Sequence, residues 1–115
     1  MLRMSGRVAD GVRLHGFCTR KYIENVCMPR IEEGMAKSGR RREALEISGG
    51  GFIATGADEA AVKAKLDWVR YRVGFYGSTR TYLPVFEQHG LEDLGLKLHR
   101  LSVEGKWNEL ADQVS

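Results

Sequence analysis

The chain has 115 residues, of which 43% are hydrophobic and 29% charged, and its formal net charge is +3. That length suits one domain, and that balance describes a folded globular chain, not a disordered one. No apolar run approaches the roughly 20 residues needed to cross a bilayer, and the opening "MLRMSGRVADG" has arginines without an apolar segment. Neither a membrane span nor a secretory leader is expected, and a cytoplasmic location without membrane partners follows by default.

The basic character is mild, with a pI near 9.0. Its one dense run, Arg40, Arg41 and Arg42, reads as a solvated loop, so no nucleic-acid partner is expected. Cys18 and Cys27 form no C-x-x-C and no disulfide framework. Both are expected to be reduced and to pack. His15, His89 and His99 are too scattered for a metal-ligand pattern, so no metal is expected.

In chain order, the first residues through Val8 and Ala9 read as the end of a helix. Asp10-Gly11 is a turn signal, and Val12 and Leu14 alternate with Arg13 and His15 in a short strand near 11–15. Thr19 caps the next helix, whose apolar stripe is Ile23, Val26 or Cys27, Ile31 and Met35. Pro29 is expected to bend or break it, and Gly39 stands where a C-terminal cap glycine belongs. A second strand is read over 45–54. Asp58 and Glu59 open a helix of about 19 residues, about 28 Å long. Its stripe is Val62, Leu66, Val69, Val73 and Tyr76, with Lys63 and Arg70 toward solvent. Gly77 is read as its end, and Ser78 or Thr79 as the cap of the next helix, in which Pro84 lies deep unless that helix starts late. Leu91, Leu94, Leu98 and Leu101 mark a further helix, and Trp107, Leu110, Ala111 and Val114 face inward in a last short one.

Strand, helix, strand is a βαβ unit, which predicts an α/β chain with parallel strands. Two parallel strands alone leave backbone groups without partners, so the sequence reads as part of something larger. Gly49, Gly51 and Ala54 fit G-x-G-x-x-[GA], but the apolar run continues through Phe52 and Ile53 before helix signals begin. A dinucleotide fingerprint needs its glycines between strand and helix. The run is therefore read as a kinked inner strand whose bare backbone gives room to a neighbouring group.

The stretches "RVADGVRLHGFCTRKYI", "SGRRREALEISGGGFIATGADE", "GFYGSTRTYLPVFEQHG" and "RLSVEGKWNELAD" resemble the C-terminal third of the luciferase-like monooxygenase superfamily. The branch most similar is that of oxidoreductases using the deazaflavin coenzyme F420. The similarity covers essentially the whole chain, and "FYGST", a proline-containing helix, "HG" and "GKW" carry most of it. Gly50 departs from the family, which often has proline there, and Arg13 stands where an apolar or neutral residue is common.

The resemblance implies a single C-terminal piece, residues 1–115, of a (β/α)8 barrel. It would supply strand 7, helix 7, strand 8, helix 8 and the C-terminal helices, with strands 1 to 6 lying outside it. It implies hydride transfer by a flavin or deazaflavin, coenzyme F420 or alternatively FMN, on a small-molecule substrate. The catalytic residues would lie in the part outside the chain, which alone would be incomplete and inactive. Exposed strand edges would drive self-association into homo-oligomers. The competing readings are a small non-enzymatic α/β interaction module and a gene fragment.

Barrel enzymes place their chemistry at the carboxyl ends of strands. The resemblance therefore implies cofactor contacts from His15, Gly16 and Phe17 after the first strand and from Thr55 and Gly56 after the second. His15 could donate to a phosphate or a polar edge of the cofactor, or be satisfied by a neighbouring strand. Phe17 could stack on a ring or simply pack. Thr55 could touch a phosphate or cap its helix, and Asp58 and Glu59 would repel an anion there.

Overall fold

A computed structural model describes the whole chain, Met1–Ser115. It is a mostly helical α/β structure with one small parallel sheet, and it divides into two compact units, Met1–Gly51 and Phe52–Ser115.

The first unit begins with helix α1 (Leu2–Val8) and strand β1 (Gly11–Arg13). A continuous helical stretch follows in three parts: α2 (Arg20–Tyr22), a π-helical turn (Ile23–Cys27) and α3 (Met28–Lys37). Strand β2 (Glu46–Ser48) closes the unit. The Thr19 hydroxyl accepts the Tyr22 N–H at 3.3 Å, as an N-cap should. Pro29 neither breaks the helix nor interrupts a hydrogen bond that matters. It occupies the first turn of α3, just after the π turn, where Met28 N–H reaches back to the Ile23 carbonyl. The wider turn absorbs the donor that proline lacks.

Gly39 ends α3 with a φ of 65°. The Arg40 N–H reaches the Met35 carbonyl at 3.0 Å and the Gly39 N–H reaches that of Ala36 at 3.2 Å. This pair of bonds is a Schellman cap, and its left-handed residue is cheap only as glycine.

β1 and β2 pair in parallel, with Gly11 opposite Glu46, Val12 opposite Ile47 and Arg13 opposite Ser48. Both are shorter than expected. β2 in particular stops at Ser48 instead of reaching Ala54, so the glycines follow the strand and do not lie within it. Below the sheet, Ile31, Met35 and Leu45 form a core joined by Leu2, Ala9, Val12, Met28 and Ile47. The arginine run is also not simply solvated. Arg40 donates to the carbonyls of Gly6 at 3.2 Å and Ala44 at 2.7 Å, and Arg42 donates to that of Leu45. These side chains satisfy loop carbonyls that the sheet and helices leave over.

The second unit opens with α4 (Glu59–Gly77), which has the expected 19 residues. A 3-10 turn (Arg80–Tyr82) leads into α5 (Leu83–Glu87), then α6 (Glu92–Val103) and two 3-10 turns, Trp107–Glu109 and Ala111–Gln113. α5 starts late enough that Pro84 falls in its first turn, where the missing N–H is harmless. Val85, Phe86, Leu98 and Leu110 are its buried core.

Two expectations fail in this unit. Val62 and Leu66 are exposed and Val69 and Val73 only half-buried, so the α4 stripe is covered only toward its C-terminal half, while Arg70 is half-buried. Trp107 is exposed instead of facing inward. Gly77 does end α4, as its last helical residue, and a Cβ there would meet Phe86 Cζ at 2.7 Å. Close packing, not turn geometry, requires glycine at that position. Ser78 takes the C-cap position, with its hydroxyl on the Phe75 carbonyl at 2.7 Å, and Thr79 caps without a side-chain bond.

Candidate functional site

The carboxyl end of β1 turns sharply. Leu14 N–H donates to the Ser48 carbonyl at 2.8 Å, which carries the ladder one residue past the strand. Then the Phe17 N–H donates to His15 Nδ1 at 3.1 Å and the Cys18 N–H to the His15 carbonyl at 3.0 Å. Because Nδ1 accepts, the neutral ring carries its proton on Nε2. His15 is exposed and Gly16 half-buried, while Phe17 and Leu14 are buried. Of the two readings for Phe17, the packing one fits its burial.

β2 is parallel to β1, so its carboxyl end leaves the sheet on the same side as this turn. Gly49 sits there, and a Cβ on it would lie 3.4 Å from Leu14 Cβ. Gly50 and Gly51 have nothing within 4 Å of where a Cβ would be. The run therefore does not make room for a ring within this chain.

Thr55 and Gly56 belong to the second unit and stand exposed just before α4. The structure thus gathers His15, Gly16 and Phe17 into one turn and places Thr55 and Gly56 together in the other unit. Thr55 is not the helix cap. Asp58 is, with its carboxylate accepting the Ala61 N–H at 2.8 Å. A first-turn donor that could have met an anion is already used, and by a negative charge.

Cys18 and Cys27 are free thiols in hydrogen-bond contact with each other, a proximity that their nine-residue separation did not announce. Burial pushes the Cys18 thiol up, and burial together with the neighbouring Cys18 pushes Cys27 up to about 11. Both are poor nucleophiles at neutral pH. No group of three or more His, Cys, Asp or Glu side chains is placed to hold a metal ion. A hollow of about 490 Å³ is lined by Asp67, Arg70, Ala111, Asp112, Val114 and Ser115, and one of about 310 Å³ lies beside Met35 and Arg40. Neither includes the five expected site residues. No helix is long and apolar enough to cross a membrane.

A parallel βαβ unit with a polar turn at its carboxyl end defines a class of α/β proteins but no chemistry by itself. The comparison with known proteins supplies the family. The model of the luciferase-like monooxygenase family matches residues 1–115, and the chain belongs to that family. It is also 44% identical over 110 residues to uncharacterized proteins of Mycobacterium bovis and of two strains of Mycobacterium tuberculosis. That similarity covers 96% of this chain but 32% of each relative's length. No solved structure gives a significant match. Membership places the chain in a superfamily of oxidoreductases and monooxygenases.

Proposed function

We propose that this chain is the part of a coenzyme F420-dependent, luciferase-like oxidoreductase that carries one rim of the cofactor site. The observation that carries this reading is the family match along the whole chain, together with an exposed histidine at the carboxyl end of β1. In this reading β1 and β2 are two neighbouring strands of a (β/α)8 barrel. Their carboxyl ends then lie on the face where such barrels keep their sites.

The residues fit an anionic or polar edge of the cofactor on one side and not on the other. His15 is exposed, with its Nδ1 accepting the Phe17 N–H, which leaves the proton of the neutral ring on Nε2, and Gly16 beside it adds no side chain. Thr55 adds an exposed hydroxyl in the second unit, but Asp58 opposes an anion at the start of α4. The bound deazaflavin, or FMN in its place, would supply the hydride chemistry. His15, Gly16 and Thr55 would bind and orient it, Phe17 would support the turn from below, and Gly56 would let the chain approach α4. A small-molecule substrate and a cytoplasmic setting belong to the same proposal. So does the lack of activity of these 115 residues alone, since closure of a barrel is what forms its pocket.

The test uses the isolated chain and a chimera in which it replaces the matching segment of the Mycobacterium bovis relative. F420 binding is followed by fluorescence and hydride transfer by absorbance. The isolated chain is expected not to turn over. The chimera is expected to prefer F420 to FMN, and His15→Ala to weaken its binding about tenfold, the cost of one strong hydrogen bond. Turnover by the isolated chain, or a chimera indifferent to His15, overturns the assignment.

A further inference from the structure

Cys18 and Cys27 are nucleophilic side chains that the proposed cofactor rim does not use. Both are free thiols, in hydrogen-bond contact with each other. Cys18 lies between the His15 turn and α2, outside regular structure, and is half-buried. Its N–H donates to the His15 carbonyl at 3.0 Å, so its backbone belongs to that turn. Cys27 is the last residue of the π turn and keeps 2% of its surface in solvent. The contact therefore joins a loop residue to a helical one at a place where the helix departs from regular geometry, and single π turns are frequent at functional sites. A cysteine that serves only to pack needs no second thiol beside it. In a reducing compartment, such a pair is oxidised transiently, for sensing or catalysis.

We propose that Cys18 and Cys27 are a reversible redox site, which a small disulfide such as oxidised glutathione converts to an intrachain disulfide tying the His15 turn to the π turn. The unequal burial of the two thiols sets the order of the steps. The Cys18 thiolate attacks one sulfur of the small disulfide, breaks its S–S bond and releases the first small thiolate. The Cys27 thiolate, already beside Cys18, then attacks Cys18 Sγ, breaks the mixed disulfide and releases the second. The two protons from the cysteines pass to the two released thiolates. The protein dithiol is oxidised by two electrons and the small disulfide is reduced to two thiols. Both cysteine pKa values are raised, so the exchange is slow, but the charge of Arg30 favours the Cys27 thiolate that the second step needs. A disulfide draws its sulfurs to about 2 Å, and Cys18, being in a loop, can follow the bond without breaking a helix.

The experiment incubates the 115-residue chain with oxidised glutathione under native conditions, quenches it with acid and weighs it by mass spectrometry. Trypsin then cuts at Arg20 and Lys21, between the two cysteines, so a bond joining them is seen as a joined pair of peptides. The parent is expected to lose both free thiols and two hydrogens, with the Cys18 and Cys27 peptides joined. Excess reduced glutathione is expected to restore both thiols. Cys27→Ser is expected to stop at a stable glutathione adduct on Cys18. Cys18→Ser is expected to stay unmodified, because its remaining thiol is buried. Circular dichroism checks that each variant keeps its helices, and if Cys27→Ser does not, Cys27→Ala takes its place. A folded parent that keeps both thiols, or that holds a glutathione adduct on Cys18, overturns the proposal. So does a disulfide between two chains, one that reduced glutathione cannot open, or ready modification of Cys27 in folded Cys18→Ser.

Discussion

Replacing Gly34 with alanine is expected to cost far more than any local preference predicts. Gly34 lies on α3 where α1 crosses it, and a Cβ there would fall inside the contact distance of the Arg3 carbonyl oxygen and lie 2.8 Å from the Arg3 carbonyl carbon. The matching position on α1 is Gly6, whose Cβ would overlap the Ile31 carbonyl oxygen. These are backbone atoms, so no side-chain rotation relieves the clash, and the two helices must move apart. Overpacking of this kind costs about 3 kcal/mol. Alanine gives back about 1 kcal/mol in helix propensity, which leaves a net loss of about 2 kcal/mol. For a chain of this size that is a fall in Tm of about 8 °C, read by far-UV circular dichroism. Two other glycines serve as controls. Gly39→Ala has open space but a φ of 65°, and is expected to lose about 1–2 kcal/mol. Gly50→Ala has open space and no positive φ, and is expected to change stability by less than about 1 kcal/mol. If Gly34→Ala melts with Gly50→Ala, the close crossing of α1 and α3 is refuted.

Leu98 is fully buried in the second unit, and Leu98→Ala is expected to cost about 2–5 kcal/mol, seen as a lower denaturant midpoint. A thiol reagent at neutral pH is expected to label Cys18 slowly and Cys27 only on unfolding, since Cys27 is buried and its pKa is pushed up to about 11. Labelling of Cys18 is expected to quicken as pH rises. Equal, rapid labelling of both thiols in the native chain would contradict their burial. Hydrogen bonds from Arg3 and Lys37 lower the Glu33 pKa below 4.5. Its contribution is therefore present above the unfolded value and lost as pH falls through the lower folded one. The Tm difference between the parent and Glu33→Gln is expected to be seen near neutral pH and to vanish in acid. A difference that persists unchanged in acid would show that the charge is not its source.

What the sequence made legible was mostly local. The Thr19 cap, the Gly39 Schellman turn, the length of α4 and the Asp58 start all depend on residues within a few positions of each other. Parallel pairing was legible too, because the connection between the strands is too long for a hairpin. Strand length was not. Residues 49–54 have the apolar character of a strand, yet a strand exists only as far as a neighbour hydrogen-bonds to it, and β1 ends at Arg13. The roles of Arg40 and Arg42 were hidden for the same reason, since the carbonyls they reach become leftover acceptors only once the fold is formed.

The glycine run shows how the candidate site divides between what pattern can and cannot reach. The sequence sets the glycines inside a strand, which tells against a phosphate cradle, but β2 ends before them. The conclusion still stands on different ground. A cradle needs a helix that starts at the glycines and offers free N–H groups. Here α4 begins only at Glu59, and its own Asp58 takes the Ala61 N–H with a carboxylate. The other candidate group, His15, sits at the other strand end. His15 was picked out by its position after a strand, which sequence can give. Its tautomer was not, because that follows from the Phe17 N–H folding back onto Nδ1, a bond made by the turn and not by the spacing of residues.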